Sequence, residues 1–250
     1  RLVGSEMCIR DRSTINNANS GHLTFTGNIA GPTSATSATL TISGANNTSF
    51  TTGVISDGSG ASLGIIQNTT GITTLSGTNT YSGSTTITAG TLSIGADANL
   101  GAAPGSAATG SLVLNGGTLL ASADITLSSN RGISLTAAST ISVDTGDTLT
   151  YAGVISDGSS SYGLTKAGAG TLLLSGANTY DGGTTVSAGL LKAGIASTGT
   201  VTNGPFGTGT VTVQSGYTLD LNGLTVANAL NLSGVGPVSY THLTLPTNRE

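Results

Sequence analysis

The sequence predicts an all-β protein that coils as a right-handed parallel β-helix, a solenoid of about ten rungs at the usual 20 to 25 residues per rung. Two repeated blocks and one pattern lead to this prediction. A sixteen-residue block occurs at 77–92 and again at 176–191, with ten identical positions. The heptapeptide GVISDGS precedes both copies, at 53–59 and 153–159. Apolar residues also alternate with Ser, Thr and Asn in short runs that end in Gly.

Composition argues against disorder in spite of the abundance of Gly, Ser and Thr. Disordered chains combine low hydrophobicity with high net charge, whereas this chain has a mean hydropathy of +0.20 and only 7% charged residues. The formal net charge is −4 with seven basic residues, too few for a protein that binds nucleic acid through phosphate contacts. No run of eighteen apolar residues occurs, so we expect no transmembrane segment in this chain.

The two ends of the chain differ in character from the middle. The segment 1–12 holds three of the seven basic residues, the one Met and the one Cys. When residues 7–11 are back-translated as ATG TGT ATA AGA GAC, the reverse complement encodes Val-Ser-Tyr-Thr-His, which is residues 238–242. We therefore expect 1–12 and 238–250 to be translated sequencing adapter and not native sequence. The β-helix is expected to occupy 13–237, with repeats near 53–95 and 153–194, and to be a fragment without a disulfide framework.

The second repeat shows how a rung is expected to be built. Short strands are predicted at 171–174, 179–180, 184–186 and 190–191, with corners at Gly176, 182–183 and Gly189. Thr, Val, Ile and Leu suit a pleated strand, and Gly supplies the positive φ angles of tight corners. Stacked rungs would place like side chains above one another around a packed centre. A β-sandwich built from the same short strands remains the alternative fold.

The second repeat also resembles a known family, over a stretch far longer than a short glycine motif such as GxGxxG. Residues 163–191, GLTKAGAGTLLLSGANTYDGGTTVSAGLL, resemble the autotransporter-associated β-strand repeat of bacterial type V secretion passengers. The matching positions are 163–166, Gly168, 170–172, 175–176, 178–180, 182–185 and 188–189. The first copy departs from the pattern at 67–71, which reads QNTTG, and at Ser84. Residues 40–50 resemble a third, degenerate copy.

The resemblance implies a fragment of an autotransporter passenger, a structural or adhesive β-helix stalk whose repeats assist export. Such a passenger would lie at the bacterial cell surface or outer membrane, or be secreted. Its implied partners are a C-terminal outer-membrane β-barrel of the same chain, outside this fragment, and host or environmental glycans or further copies of itself. The alternative function is a β-helical polysaccharide-degrading enzyme, or a scaffold for an enzyme domain outside the fragment.

Catalytic readings find little support in the sequence. A Ser-His-Asp hydrolase needs a histidine base, and His22 is the one histidine within 13–237. His22 is interpreted as a strand residue. A polysaccharide-degrading site would gather carboxylates beside a base, for which Asp144, Asp147 and Arg131 are the candidates. Asp147 is interpreted as a turn residue, so we predict no catalytic residues.

The repeated polar residues are likewise interpreted as structural. The Asp-Gly pairs at 57–58 and 157–158 lack the tandem partners of a calcium turn and are predicted to form corners. Asn79 and Asn178 are predicted to bond the backbone of the neighbouring rung. Tyr81 and Tyr180 are predicted to cover the core and not to stack on carbohydrate. We therefore predict no cofactor-binding and no metal-binding residues.

Overall fold

The computed structural model describes residues 7–8, 12–18, 21–33, 37–59, 61–199 and 201–233. The C-terminal segment 238–250 lies outside the described residues, as does most of 1–12. Met7, Cys8 and Arg12 are described, and Met7 lies in register with Ile29 of the following turn. The adapter origin of both ends stays a prediction.

The described residues form short strands and one 3₁₀ helix, Asp97–Leu100. The first strands are β1 (Met7–Cys8), β2 (Arg12–Asn17), β3 (Leu23–Phe25), β4 (Ile29–Ala30), β5 (Ser37–Gly44), β6 (Thr48–Phe50), β7 (Ile55–Ser56), β8 (Ser62–Leu75) and β9 (Thr85–Ile94). The middle strands are β10 (Ala108–Asn115), β11 (Thr118–Ala121), β12 (Ile125–Leu127), β13 (Arg131–Ala137), β14 (Ser139–Val143), β15 (Thr148–Tyr151) and β16 (Ile155–Ser156). The last strands are β17 (Leu164–Ala167), β18 (Thr171–Leu174), β19 (Thr184–Val186), β20 (Leu190–Ala193), β21 (Val211–Val213), β22 (Thr218–Asp220) and β23 (Leu230–Leu232).

These strands stack as a parallel β-solenoid. Within the described ranges they form a 15-stranded, a 5-stranded and a 3-stranded sheet, and each strand pairs in parallel with the strand one turn away. This confirms the predicted β-helix. The β-sandwich alternative is wrong, because sandwich sheets pair their strands antiparallel. The right-handed sense of the coil remains a prediction.

The longest face shows the extent of the coil. Ten strands succeed one another on it, from β3 through β6, β8, β9, β11, β14, β17, β19 and β21 to β23. The coil makes about eight turns. This number is somewhat smaller than the ten rungs that we expected from chain length.

The core lies inside the coil and consists of ladders of similar side chains. Leu149, Leu172, Leu191 and Leu219 occupy one register position on four successive turns, and all are fully buried. Near the N-terminal end, the rings of Phe25 and Phe50 stack with centroids 4.9 Å apart. Each such side chain stabilises the coil by about 1.5 to 3 kcal/mol through burial. The predicted packed centre is confirmed.

The predicted rung needs one correction. Strands β18 and β20 lie on the same face, with Leu172 opposite Leu191, so Leu190–Ala193 begins the next turn and does not complete the first. Residues 179–180 form no strand of their own, although the Thr179 N–H donates to Ile155 O at 3.0 Å and Tyr180 O accepts from Thr208 N–H at 2.8 Å. These isolated backbone hydrogen bonds to the neighbouring turns do not make 179–180 a third strand.

Candidate functional site

The duplicated blocks form equivalent three-turn arrangements at two heights of the solenoid. In each arrangement the isoleucine of GVISDGS lies one turn before the Asn-Thr-Tyr segment: Thr80 N–H donates to Ile55 O at 2.9 Å and Thr179 N–H to Ile155 O at 3.0 Å. The sequence repeat is thus also a repeat of contacts between turns. We call each arrangement a repeat clasp: the first comprises 53–59, 77–92 and 99–101, and the second comprises 153–159, 176–191 and 205–207.

The tyrosine of each clasp points into the core. Tyr81 and Tyr180 are fully buried, and their hydroxyls bond the Thr85 and Thr184 hydroxyls at 2.7 and 2.6 Å. Burial raises the pKa of both phenols above the usual range. The predicted core-covering role is confirmed, since fully buried rings present no surface on which a sugar could stack.

The asparagine of each clasp joins three successive turns. Asn178 Oδ1 accepts from Ile155 N–H at 2.8 Å, and its Nδ2 donates to Pro205 O at 2.7 Å. Asn79 does the same between Ile55 N–H at 2.9 Å and Asn99 O at 2.7 Å. Both side chains are buried. Each therefore satisfies one backbone donor and one backbone acceptor that water cannot reach. The predicted asparagine bonds between rungs are confirmed.

The aspartate of each clasp bonds to backbone in its own turn and in the next one. Asp157 Oδ2 accepts from Tyr162 N–H and from Asp181 N–H, both at 3.1 Å. Asp57 Oδ1 accepts from Leu63 N–H at 2.7 Å and from Ser82 N–H at 3.0 Å. Both carboxylates therefore bond backbone amides at the corners, in keeping with the structural interpretation of the Asp-Gly pairs.

The clasps also depend on a close approach between glycine backbones. A methyl group on the Gly176 α-carbon would lie 1.8 Å from Gly153 O, and one on Gly77 would lie 2.3 Å from Gly53 O. Real side-chain carbons do not come that close to a backbone oxygen, so both positions require glycine for space. This explains why glycine opens both sixteen-residue blocks.

Sequence reasoning missed the part of each clasp that lies in the following turn. Gly101 packs against the Tyr81 ring and Gly207 against the Tyr180 ring, where an added methyl would lie 2.8 and 2.9 Å from ring carbon Cδ2. The residues before these glycines, Leu100 and Phe206, are buried. An apolar residue followed by Gly is the only shared signal, and it is too short to detect.

Lys166 is a further residue that sequence reasoning did not single out. It lies inside the coil, in register with Ile141 and Val186, and is fully buried. Its Nζ donates to Ala167 O and Gly168 O at 2.7 Å and to Ala188 O at 3.1 Å. Desolvation by burial lowers the pKa of Lys166 to about 8. Three carbonyls thus satisfy the ammonium without a carboxylate.

The first clasp has Gln67 where the second has Lys166. Gln67 is also fully buried, and its Nε2 donates to Ala89 O and Thr91 O at 3.5 and 3.3 Å. Ala89 and Ala188 are equivalent residues of the repeat, so both side chains bond the same corner. The repeat therefore contains a buried donor that either Gln or Lys supplies.

We expect the free energy of unfolding to rise between pH 8 and pH 10, by about 1 to 3 kcal/mol, because Lys166 loses its proton earlier in the folded chain than in the unfolded one. Below pH 8 both states hold the proton and the difference is constant. Denaturant unfolding of the chain at pH 7.5 and 9.5 measures the rise. Lys166→Gln should abolish it, whereas the partly exposed Lys192→Gln should keep it. A rise that survives in Lys166→Gln would contradict this assignment.

The residues considered for catalysis are not brought together. Arg131 binds Asp97, with Nε 2.8 Å from Oδ1 and Nη2 3.2 Å from Oδ2, and not the carboxylates that sequence proximity suggested. Asp144 and Asp147 lie in the turn between β14 and β15, where Asp147 N–H donates to Asp144 O at 3.1 Å. The turn interpretation of Asp147 is confirmed.

His22 was interpreted as a strand residue, but it lies directly before β3 and is not part of that strand. Its Nε2 lies 2.7 Å from the Ser49 hydroxyl one turn away. Beside the second clasp, an open depression contains one carboxylate, that of Asp181, among Ser161, Thr184, Thr185, Thr210, Thr212 and residues 182–183. In the described part of the chain, no three His, Cys, Asp or Glu side chains lie together. Within those same ranges, no helix has the length and apolar character needed to cross a lipid bilayer.

The stacked turns, with one clasp joining three turns at each of two heights, define a β-solenoid built from repeats. Comparison with known families places it further: residues 67–94 and 164–193 match the passenger-associated-transport-repeat. These ranges contain Gln67 and Lys166 and end with the strands β9 and β20. The chain thus contains two copies of this repeat. The third copy suggested at 40–50 is not among the matched residues.

The chain is also similar to a curated protein that is an autotransporter by name. The chain is 39% identical over 136 residues to the Adhesin BmaC autotransporter of Brucella suis biovar 1 (strain 1330), an alignment that covers 52% of this chain and 4% of that protein. The chain therefore spans a small part of the length of the curated relative it matches. No solved structure matches the chain.

Proposed function

We propose that this chain is part of a structural and adhesive stalk on the bacterial surface, without enzymatic activity of its own, and that its two repeat clasps assist export. The observation that carries the proposal is the coincidence of the two family matches with the two clasps, because both matched ranges contain the asparagine and tyrosine that join successive turns.

The clasps supply a physical reason for a role in export. A solenoid grows by adding a turn to an existing one, and Asn178 gains its two backbone bonds only when the turns on both sides are in place. Each clasp therefore favours a stack of three turns over the isolated turns. Folding outside the membrane would then oppose backward movement of the chain. The natural partner for this process is a C-terminal outer-membrane β-barrel of the same polypeptide.

The adhesive role rests on the relative, which is named an adhesin. The polysaccharide-degrading alternative is less well supported, because Arg131 is committed to Asp97 and its guanidinium also bonds the carbonyls of Leu100 and Gly101 at 2.9 and 2.6 Å. A guanidinium buried in this way is not available to bind a sugar. The carboxylates of Asp57 and Asp157 are likewise bonded to backbone amides.

An epitope inserted after Gly146 in the full-length gene product tests the surface location. Gly146 lies in the exposed turn between β14 and β15. A methyl group added to its α-carbon would have no heavy atom within 4 Å, so the insertion should leave the coil intact. We expect antibody to label intact cells, and external protease to remove the label. Label that appears only after the outer membrane is permeabilised would contradict the proposal. A periplasmic marker protein, carrying the same epitope, serves as the control.

A further inference from the structure

One corner inside the coil contains buried oxygen atoms to which the protein itself supplies no partner. Within the described residues, four buried side-chain polar atoms make no hydrogen bond, and three of them lie at this corner: Thr48 Oγ1, Gln67 Oε1 and Thr73 Oγ1. All three side chains are fully buried. Buried polar atoms in folded proteins almost always have a partner, so three such oxygens at one place indicate a bound group. We call these three residues the oxygen corner.

The register between turns brings the three side chains of the oxygen corner together. Thr48 and Thr73 are direct partners on neighbouring turns, at the usual strand spacing of about 4.8 Å. Gln67 precedes Thr73 in the same strand, across the bend of β8. Its Nε2 donates to Thr91 O, and Thr91 is the register partner of Ile72. The amide of Gln67 therefore reaches the part of the coil that contains Thr73.

The second copy of the repeat has a cation and two apolar side chains at the three equivalent positions. The equivalences follow from the repeated sequence and from the register one turn earlier, and they are Lys166 for Gln67, Leu172 for Thr73 and Leu149 for Thr48. The ammonium of Lys166 bonds three backbone carbonyls, one of which, Ala188 O, is equivalent to Ala89 O. Where the second copy contains its own cation, the first copy has additional oxygen atoms and no charge.

The atoms of the oxygen corner suit a monovalent cation. Neutral carbonyl oxygens can replace the hydration shell of potassium, whereas calcium sites usually include carboxylates, which the oxygen corner lacks. The hydrogen bonds of Gln67 Nε2 to Ala89 O and Thr91 O are long, at 3.5 and 3.3 Å. Turning the amide over exchanges its oxygen and its nitrogen. The amide oxygen and these two carbonyls would then surround a cation of the size of an ammonium group.

We propose that the oxygen corner binds one potassium ion, which takes the place in the first repeat copy that the ammonium of Lys166 takes in the second. Its ligands are the amide oxygen of Gln67, the hydroxyls of Thr48 and Thr73, and the carbonyl of Ala89. A buried charge is costly unless other groups replace its hydration. Lys166 shows that the interior of this coil satisfies one positive charge with carbonyls alone.

The ion would join three successive turns, because Thr48, Thr73 and Ala89 belong to neighbouring turns of the coil. It therefore binds the stacked turns and not the unfolded chain, in which these oxygens are far apart. The consequence is a coil whose first repeat copy depends on potassium for part of its stability. The site does not depend on the function proposed above, since it requires only the stacked turns.

Denaturant unfolding of the chain in potassium chloride tests the proposal, with choline chloride keeping the ionic strength constant. Because one ion binds the folded state, the ratio of folded to unfolded chain should rise about tenfold for each tenfold increase in potassium above the dissociation constant. Gln67→Lys should abolish this rise, since the new ammonium occupies the site. Thr73→Val removes one ligand at nearly constant shape and should raise the potassium concentration required by about tenfold.

The matched control is Thr165→Val, which removes a partly exposed hydroxyl from the second repeat copy and should keep the wild-type response to potassium. Rubidium replaces potassium and scatters X-rays anomalously, so crystals of the chain grown in rubidium chloride locate the ion directly. We expect an anomalous peak beside the side-chain amide of Gln67. Equal stability in potassium and choline would assign the corner to an internal water molecule and overturn the proposal. A potassium response that survives in Gln67→Lys, or rubidium crystals without the peak, would overturn it as well.

Discussion

Replacement of Arg131 by methionine is expected to lower the free energy of unfolding by about 3 to 5 kcal/mol, the usual cost of removing one partner of a buried ion pair. Arg131 is 3% exposed, and it bonds both carboxylate oxygens of Asp97 and the carbonyls of Leu100 and Gly101. Methionine fills much of the space but leaves the carboxylate and the carbonyls at the end of the 3₁₀ helix without these donors.

Equilibrium unfolding by denaturant, followed by circular dichroism, measures the loss. The matched control is Lys192→Met, which removes an exposed ion pair with Asp220 at 3.2 Å and should change the free energy by less than about 1 kcal/mol. Equal effects of the two substitutions would contradict the assignment of the loss to the buried bonds of Arg131.

Asn178→Leu is expected to cost about 2 to 6 kcal/mol, because Ile155 N–H and Pro205 O would both remain buried without a partner, at about 1 to 3 kcal/mol each. Leucine has nearly the shape of asparagine, so packing alone predicts a small change. Asn79→Leu should cost a similar amount, because it deprives Ile55 N–H and Asn99 O in the same way.

The same unfolding measurement decides this prediction. Asn115→Leu is the control, since Asn115 is exposed at the end of β10 and the change there should stay within about 0.5 kcal/mol. If the clasp variants and the control lose the same stability, the asparagines do not join the turns as described.

The local pattern of the sequence was sufficient to predict the coil and much of each clasp. The duplicated blocks require equivalent environments at a fixed distance along the chain, which a stack of turns provides. The strict alternation in Leu164, Thr165 and Lys166 places the first and third residues on the same face. Because lysine ordinarily prefers water, the burial of Lys166 was not predicted, although this alternation is consistent with it.

The features that could not be predicted depend on contacts between residues of different turns. Arg131 and Asp97 lie 34 residues apart, and no local pattern connects them, whereas Asp144 and Asp147 are near in sequence but not in contact with the arginine. The carbonyls that satisfy Lys166 come from two corners, at Gly168 and Ala188. Such pairings follow from the register between turns, which a single sequence does not determine.

Two deletions that each remove one turn test the role of the clasps in export most directly. Leu164 pairs with Thr184, so deletion of 164–183 removes a turn of the second clasp and keeps the strands in register. Leu23 pairs with Thr48, so deletion of 23–47 removes one turn that lies before both clasps and retains every residue of each clasp. Surface epitope is measured on intact cells that carry the full-length protein, with the epitope placed after Gly216 in both variants. We predict that the first deletion loses most of the surface signal and the second keeps most of it; equal signals from the two would contradict the proposed role of the repeat in export.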